Sequence, residues 1–196
     1  MEVIKTIFCC CASRHEYDDS DDEGIETPMS NVNLCQAGLT SGDLKAEEKG
    51  GVYTTSGKGV LIGSCALECD TAYWEVVVGK DAANLKIGVV RFDSKTQKKA
   101  PNLDKDAWAL DKETLKEGDV IGVHWDQTDL PMLSFTKNGE RCVSSVNRIR
   151  PSNNIYAAVE ATSAKVTCQV VFDGRHFKSK PLASKFSAIV CATSII

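Results

Sequence analysis

An all-β domain, sandwich or barrel, is the fold class this chain predicts, and three observations carry it. From Gly51 onward, short β-branched or aromatic runs recur at close intervals, each bounded by Gly, Asp, Asn, Ser or Pro. Between Gly118 and Glu140 two apolar runs flank a break containing Asp129 and Pro131, which suit a turn and disfavour a continuing strand. Asn138-Gly139 then supplies the positive-φ pair that a two-residue type I′ hairpin needs. The third observation is an omission: no helical pattern is long enough to serve as the crossover a parallel sheet requires.

Taken in order, residues 1–31 read as a tail in two pieces. MEVIKTIFCCCA is apolar and cysteine-rich; SRHEYDDSDDEGIETPMS is acidic and without periodicity, the composition of a solvated, disordered spacer. Residues 32–180 read as the β domain. Its lead-in, residues 32–49, is mixed in pattern, with VNL a short strand. VYTT, KGVLIG, YWEVVVG, LKIGVVRF, WAL, DVIGVHW, MLSFTKN, RCVSSV, IYAAVEA and VTCQVVF follow as strands. Ser94–Lys105, rich in Lys and Asp, is expected to be an exposed loop. Residues 181–196 are apolar and read as a final strand or a tail packed on the body.

Net charge is −4, but residues 1–30 alone carry −6, which leaves +2 for the rest. The near-neutral body and acidic tail lack the clustered basic face of a nucleic-acid binder. Nine cysteines are present, without a CxxC pair or a second pair to complete Cys65 and Cys69 as a zinc site. The reading for the body cysteines is buried reduced thiols acting as small hydrophobes in a reducing compartment. No metal or cofactor is expected. Lys5 interrupts the N-terminal apolar run and Glu2 offsets its charge, which argues against a secretory signal and for a cytoplasmic protein.

The ordered series Tyr73-Trp74-Glu75-Val76, Ile87-Gly88-Val89, Gly118-Asp119-Val120-Ile121-Gly122-Val123, Leu133-Ser134-Phe135-Thr136-Lys137-Asn138-Gly139 and Tyr156-Ala157-Ala158-Val159 resembles the SPRY domain family, the core of the B30.2 module. The resemblance spans about residues 51–175. It departs from the family pattern at Ala109, where many members carry Gly, and at Trp125, where a smaller aliphatic is usual. It implies a bent antiparallel sandwich of concanavalin-like type, without shared catalytic machinery, that binds peptide segments or partner proteins through loops at one end. A rigid sheet scaffold favours such a role, because loops held ready lose less entropy on binding. The loops expected to bind are Arg91–Ala107 and Asp126–Pro131, with Arg91, Asp93, Trp125, Asp126 and Asp129 as contact residues. Trp74 and Trp108 read as core. Trp125 ends a strand beside a loop and is open to either role.

Two other functions have less support in the residues. His124 and Asp126 share one strand face, the placement an enzyme using that pair would need, but no nucleophile or oxyanion motif accompanies them. A carbohydrate-binding sandwich is an analogy of architecture alone. Adjacent Cys9, Cys10 and Cys11 beside Ile4, Ile7 and Phe8 suit S-acylation and association with the cytosolic face of a membrane. Each buried CH₂ contributes about 0.8 kcal/mol, so two or three chains would hold where one would not. Ser20, ahead of Asp21-Asp22-Glu23, suits an acidic-directed kinase. The terminal Ser194-Ile195-Ile196 fits a carboxylate groove, with a buried final strand the favoured reading.

Overall fold

Alternation along the apolar runs sets the layers. In a computed structural model, which describes residues 34–93, 96, 101, 103, 104, 107–110, 114–142, 147–150 and 154–191, thirteen strands are formed among the described residues. They are β1 Ala37–Gly42, β2 Lys45–Lys49, β3 Val52–Ser56, β4 Gly59–Gly63, β5 Thr71–Val78, β6 Leu85–Arg91, β7 Ala107–Ala109, β8 Val120–Asp126, β9 Met132–Lys137, β10 Glu140–Arg141, β11 Asn147–Arg148, β12 Ile155–Ala161 and β13 Thr167–Val171. They form two antiparallel sheets, one ordered β1-β4-β12-β6-β7 and the other β10-β9-β8-β5-β13-β3-β2, with β11 beside β9. Cys9, Cys10, Cys11, Ser20 and Ser194–Ile196 lie outside the described residues.

The main core fills the space between the sheets. From the larger sheet it takes Trp74, Val76 and Val78 of β5 and Ile121, Val123 and Trp125 of β8. From the smaller sheet it takes Leu61, Ile87, Val89 and Val159. Burying a large apolar side chain of this kind contributes about 1.5–3 kcal/mol. The opposite face of the smaller sheet carries a second cluster of Val60, Ile62, Val90, Phe92, Leu103 and Ala158. Central strands are thus buried on both faces, and this is why they read as continuous apolar runs rather than strict alternation.

The hairpin forms at the expected residues. Lys137 pairs with Glu140, and between them Asn138 and Gly139 have φ of 53° and 87°, the signs a type I′ turn needs.

Three expectations are corrected. Residues 37–49 hold two strands rather than a mixed lead-in; β2, KAEEK, is an edge strand, and edge strands carry charge to discourage pairing with another chain. Within Ser94–Lys105, most of which lies outside the described residues, Leu103 is buried, and its N–H donates to the Glu160 carboxylate at 3.0 Å. Among the cysteines, Cys35 and Cys168 are buried thiols, but Cys65 and Cys191 are joined by a disulfide. A sequence separation of 126 hides that proximity from any spacing rule.

Candidate functional site

The β4–β5 connection, residues 64–70, crosses from one sheet to the other at a single end of the sandwich. β6 and β8 end there, and β9 and β12 begin there, as their registers with β5 and with one another require. Backbone bonds tie the loops together. Leu67 N–H donates to the Ile155 carbonyl at 2.7 Å, and Gln127 N–H to that of Asp70 at 2.8 Å. The Gln127 amide donates to the carbonyls of Glu68 and Cys69 at 3.1 and 2.9 Å. Ile149 N–H reaches the Pro131 carbonyl at 2.9 Å, while Arg91 Nη2 reaches the Arg150 carbonyl at 3.4 Å. The strand and loop starting at Asp126 and the stretch starting at Arg91, distant in sequence, are therefore linked through residues 147–150.

The contact residues expected there fare differently. Asp129 is exposed. Leu130, 61% exposed, and Met132, 37% exposed, flank Pro131 on the same loop. Asp126 is half-buried, pairs with the Lys185 ammonium, and accepts from the Thr128 hydroxyl at 2.7 Å and its N–H at 3.1 Å. Burial pushes the Asp126 carboxyl up, but Lys185 and Thr128 together hold it below the ordinary carboxylate value. Arg91 is half-buried, with its guanidinium 5.5 Å from the Trp108 ring centroid. Asp93 accepts from the Thr96 hydroxyl at 2.9 Å. Trp125 is a correction: at 1% exposure its ring belongs to the core between the sheets and offers no surface to a partner. Its strand position before a loop suggested exposure, but its register with Ala72 and Leu133 points it inward.

The C-terminal segment, expected as a strand or tail packed on the body, starts earlier and forms a strap. Residues 177–187 lie over the outer face of the larger sheet, where β5 and β8 present Tyr73, Glu75, Gly122 and His124. The buried Glu75 carboxylate accepts the N–H groups of Lys178 at 2.6 Å and Ser179 at 2.7 Å, and the Tyr73 hydroxyl at 2.8 Å. His124 Nε2 accepts the Leu182 N–H at 3.1 Å. The Thr71 hydroxyl donates to the Lys185 carbonyl at 2.7 Å, and the Tyr73 N–H to that of Ser187 at 2.7 Å. Phe177 packs edge-on to Tyr73, and Phe186 edge-on to His124, with centroids 4.8 and 4.9 Å apart. One signal for this was available: an acid in the middle of YWEVVV must find donors once its strand is buried.

Gly122 makes room for that arrangement. A Cβ there would collide with the Thr136 hydroxyl and stand 2.5 Å from the Tyr73 hydroxyl oxygen. Gly122→Ala should therefore cost about 1–3 kcal/mol through overpacking, read as a lower urea midpoint at unchanged slope. A midpoint equal to that of the wild type would mean that Tyr73 yields without loss.

His124 and Asp126 share the outer face but serve separate partners, the Leu182 N–H for one and Lys185 with Thr128 for the other. Burial pushes the imidazole down to about 4, with the Arg141 charge adding to the effect and the carbonyls of Ser134 and Gly122 opposing it. At neutral pH the ring is an uncharged acceptor sealed beneath the strap. Among the described residues, no three His, Cys, Asp or Glu side chains converge as a metal-binding set.

No family model matches the sequence, and no curated protein matches it. Solved structures do match. The chain is similar to the crystal structure of the SPRY domain of human HERC1, with 18% identity, a TM-score of 0.48, and coverage of 64% of this chain and 91% of that one. It is similar to a crystal structure of a human SPRY domain, with 21% identity, a TM-score of 0.49, and coverage of 66% and 97%. The third is the crystal structure of the NHR1 domain of Drosophila melanogaster Neuralized, with 11% identity, a TM-score of 0.50, and coverage of 70% and 98%. At 11% identity the likeness to the NHR1 domain is one of fold, and it accords with the observed sheets, which make this domain a two-sheet antiparallel β-sandwich.

Proposed function

We propose that this chain is a non-enzymatic interaction module that takes a peptide or partner protein on the loops gathered around Asp126–Pro131 and Arg91. The observation that carries the reading is the exposure of Leu130 and Met132 on a loop otherwise anchored to its neighbours by Gln127 and Pro131. Large apolar side chains held in solvent by a rigid frame lose little freedom when a partner covers them. Asp129 and Arg91 supply polar groups at the rim. The protein acts in the cytoplasm, and acyl chains on Cys9, Cys10 and Cys11 hold it to a membrane surface.

Photo-crosslinking residues installed at position 130 and, as a control, at Gln169 on an outer sheet position test the loop assignment. Crosslinks should concentrate at 130, and Met132→Glu added to the position-130 probe should reduce them sharply while leaving the thermal midpoint unchanged. Crosslinks spread evenly over the sheet faces would overturn the reading. Acyl-exchange labelling of the wild type against a Cys9/Cys10/Cys11→Ser variant tests the anchor; equal cytosolic partition of the two would remove it.

A further inference from the structure

The disulfide between Cys65 and Cys191 joins the connection after β4 to the end of the C-terminal segment, with Cα atoms 5.5 Å apart. Both residues are half-buried, whereas Cys35 and Cys168 are 2% and 3% exposed. Burial pushes the Cys35 thiol up and that of Cys168 up to about 11. Exchange requires a thiolate with access to a disulfide sulfur, so these two buried thiols are poor competitors, and among the described free cysteines only Cys69 is as accessible as the bonded pair.

Other ties join the same segments: Ser64 N–H donates to the Gln36 carbonyl at 2.9 Å, Gln36 N–H to the Ser64 hydroxyl at 3.0 Å, Ala188 bridges to Tyr73, and Ile189 is buried in the main core. Leu34 and Val190 form an isolated bridge, and Cys35 N–H donates to the Ile189 carbonyl at 2.9 Å. The Cys69 thiol lies 3.8 Å from the Val190 carbonyl, and the Ser64 hydroxyl 3.8 Å from the Cys191 sulfur, both weak contacts. Residues 177–187, by contrast, are held by Glu75, His124, Thr71 and Asp126. The sandwich core does not need the bond to close, since both sheets and the strap are complete on either side of it. Its effect is therefore concentrated on residues 188–191, the start of the chain at 34–36, and the 64–70 connection.

We propose that Cys65 and Cys191 form a reversible redox clasp, closed by a small-molecule disulfide and opened by the corresponding thiol. In closing, one protein thiolate attacks the small disulfide, forming a mixed disulfide and releasing one thiolate. The second protein thiolate attacks the protein sulfur of that intermediate and displaces the other. The protein pair is oxidised by two electrons, the small disulfide is reduced to two thiols, and the two cysteine protons end on them. Because Gln127 bonds to residues 68–70, the clasp also sets the order of the loops at that end, a consequence that rests on the end-loop reading; the clasp itself does not.

The test equilibrates the full chain in glutathione buffers from fully reduced to fully oxidised, then quenches and alkylates it. Peptide mapping with fragmentation separates Cys65 and Cys191 from the free Cys69 and from Cys9–Cys11. The pair should pass from thiols to disulfide at an intermediate ratio. The reduced form should exchange amide hydrogens faster at 34–36, 64–69 and 188–191, not at 121–125, and melt roughly 4–15 °C lower. A Cys65→Ser/Cys191→Ser variant should match the reduced form, and if it does not fold, reduced wild type carries the comparison. A pair that stays bonded in fully reduced buffer is a permanent staple. One that never bonds in oxidised buffer is no clasp, and bonding without the local change in exchange removes the regulatory role. Each of these outcomes overturns the proposal. Running the position-130 crosslink in both states separates the two readings, because its absence throughout, with redox conversion intact, sinks the end-loop site alone.

Discussion

Glu75→Ala should destabilise the protein by about 3–5 kcal/mol, among the largest losses any single substitution here would cause. The carboxylate is fully buried and accepts from the Tyr73 hydroxyl and the N–H groups of Lys178 and Ser179. Removing it strands three donors beneath the strap, and each buried unsatisfied group costs about 1–3 kcal/mol when water cannot reach it. Partial relaxation of the strap toward solvent keeps the total below the full sum. Glu75→Gln retains one acceptor oxygen but turns an NH₂ toward a donor, so its loss should be intermediate. Urea unfolding checks the magnitudes, and hydrogen exchange checks the mechanism: protection should fall first at Lys178 and Ser179. Unchanged protection there, or an alanine variant within 1 kcal/mol of wild type by the same urea measurement, would show that the strap does not depend on the carboxylate.

The second large effect is a pH dependence. In the unfolded chain His124 has the ordinary histidine pKa of about 6.5. In the fold, burial pushes it down to about 4. Between those values the unfolded state binds a proton that the native state refuses, so stability falls as pH falls. The contribution is fully present above about pH 6.5 and is lost progressively down to about pH 4, to a maximum of about 3 kcal/mol. Protonation also ends the acceptance of the Leu182 N–H, so the strap should loosen along the same curve. Burial and Arg141 favour neutrality and outweigh the carbonyls of Ser134 and Gly122, which favour the charged ring. Arg141 repels a second positive charge, and burial pushes the Tyr73 phenol up so that it stays protonated and offers no counter-charge. His124→Gln keeps an acceptor for Leu182 without a titrating proton, and it should flatten the slope between pH 4 and 6.5. A variant with the wild-type slope would assign the pH dependence elsewhere. The carboxylates held low, Asp81, Asp119, Asp126 and Asp173, act in the same direction at lower pH, since their stabilising contribution is lost only as pH falls below the ordinary carboxylate value.

Much of the β frame was legible because each of its signals is local. The runs from Val52 to Val171 carry their own boundaries in Gly, Asp and Pro, and Asn138-Gly139 states its turn type in two residues. β1 and β2 were not legible, because edge strands suppress the very composition by which strands are recognised. The two loops proposed to bind were chosen by their place between strands, and nothing in either one says that residues 147–150 link them. Trp125 was misjudged for a related reason: proximity to a loop in sequence does not decide inward or outward, whereas pairing with Ala72 and Leu133 does.

Periodicity and turn chemistry were enough to specify an antiparallel β domain, its central strands, its hairpin and the break between β8 and β9, since those depend on interactions a few residues apart. The strap over Glu75 and His124, the Cys65–Cys191 bond and the gathering of the end loops join residues roughly 60 to 130 positions apart, as the contacts themselves record. Beyond the lone acid in YWEVVV, which asks for donors without naming them, such contacts leave no local imprint, because what selects them is the mutual satisfaction of buried groups, and that exists only once the sheets have stacked.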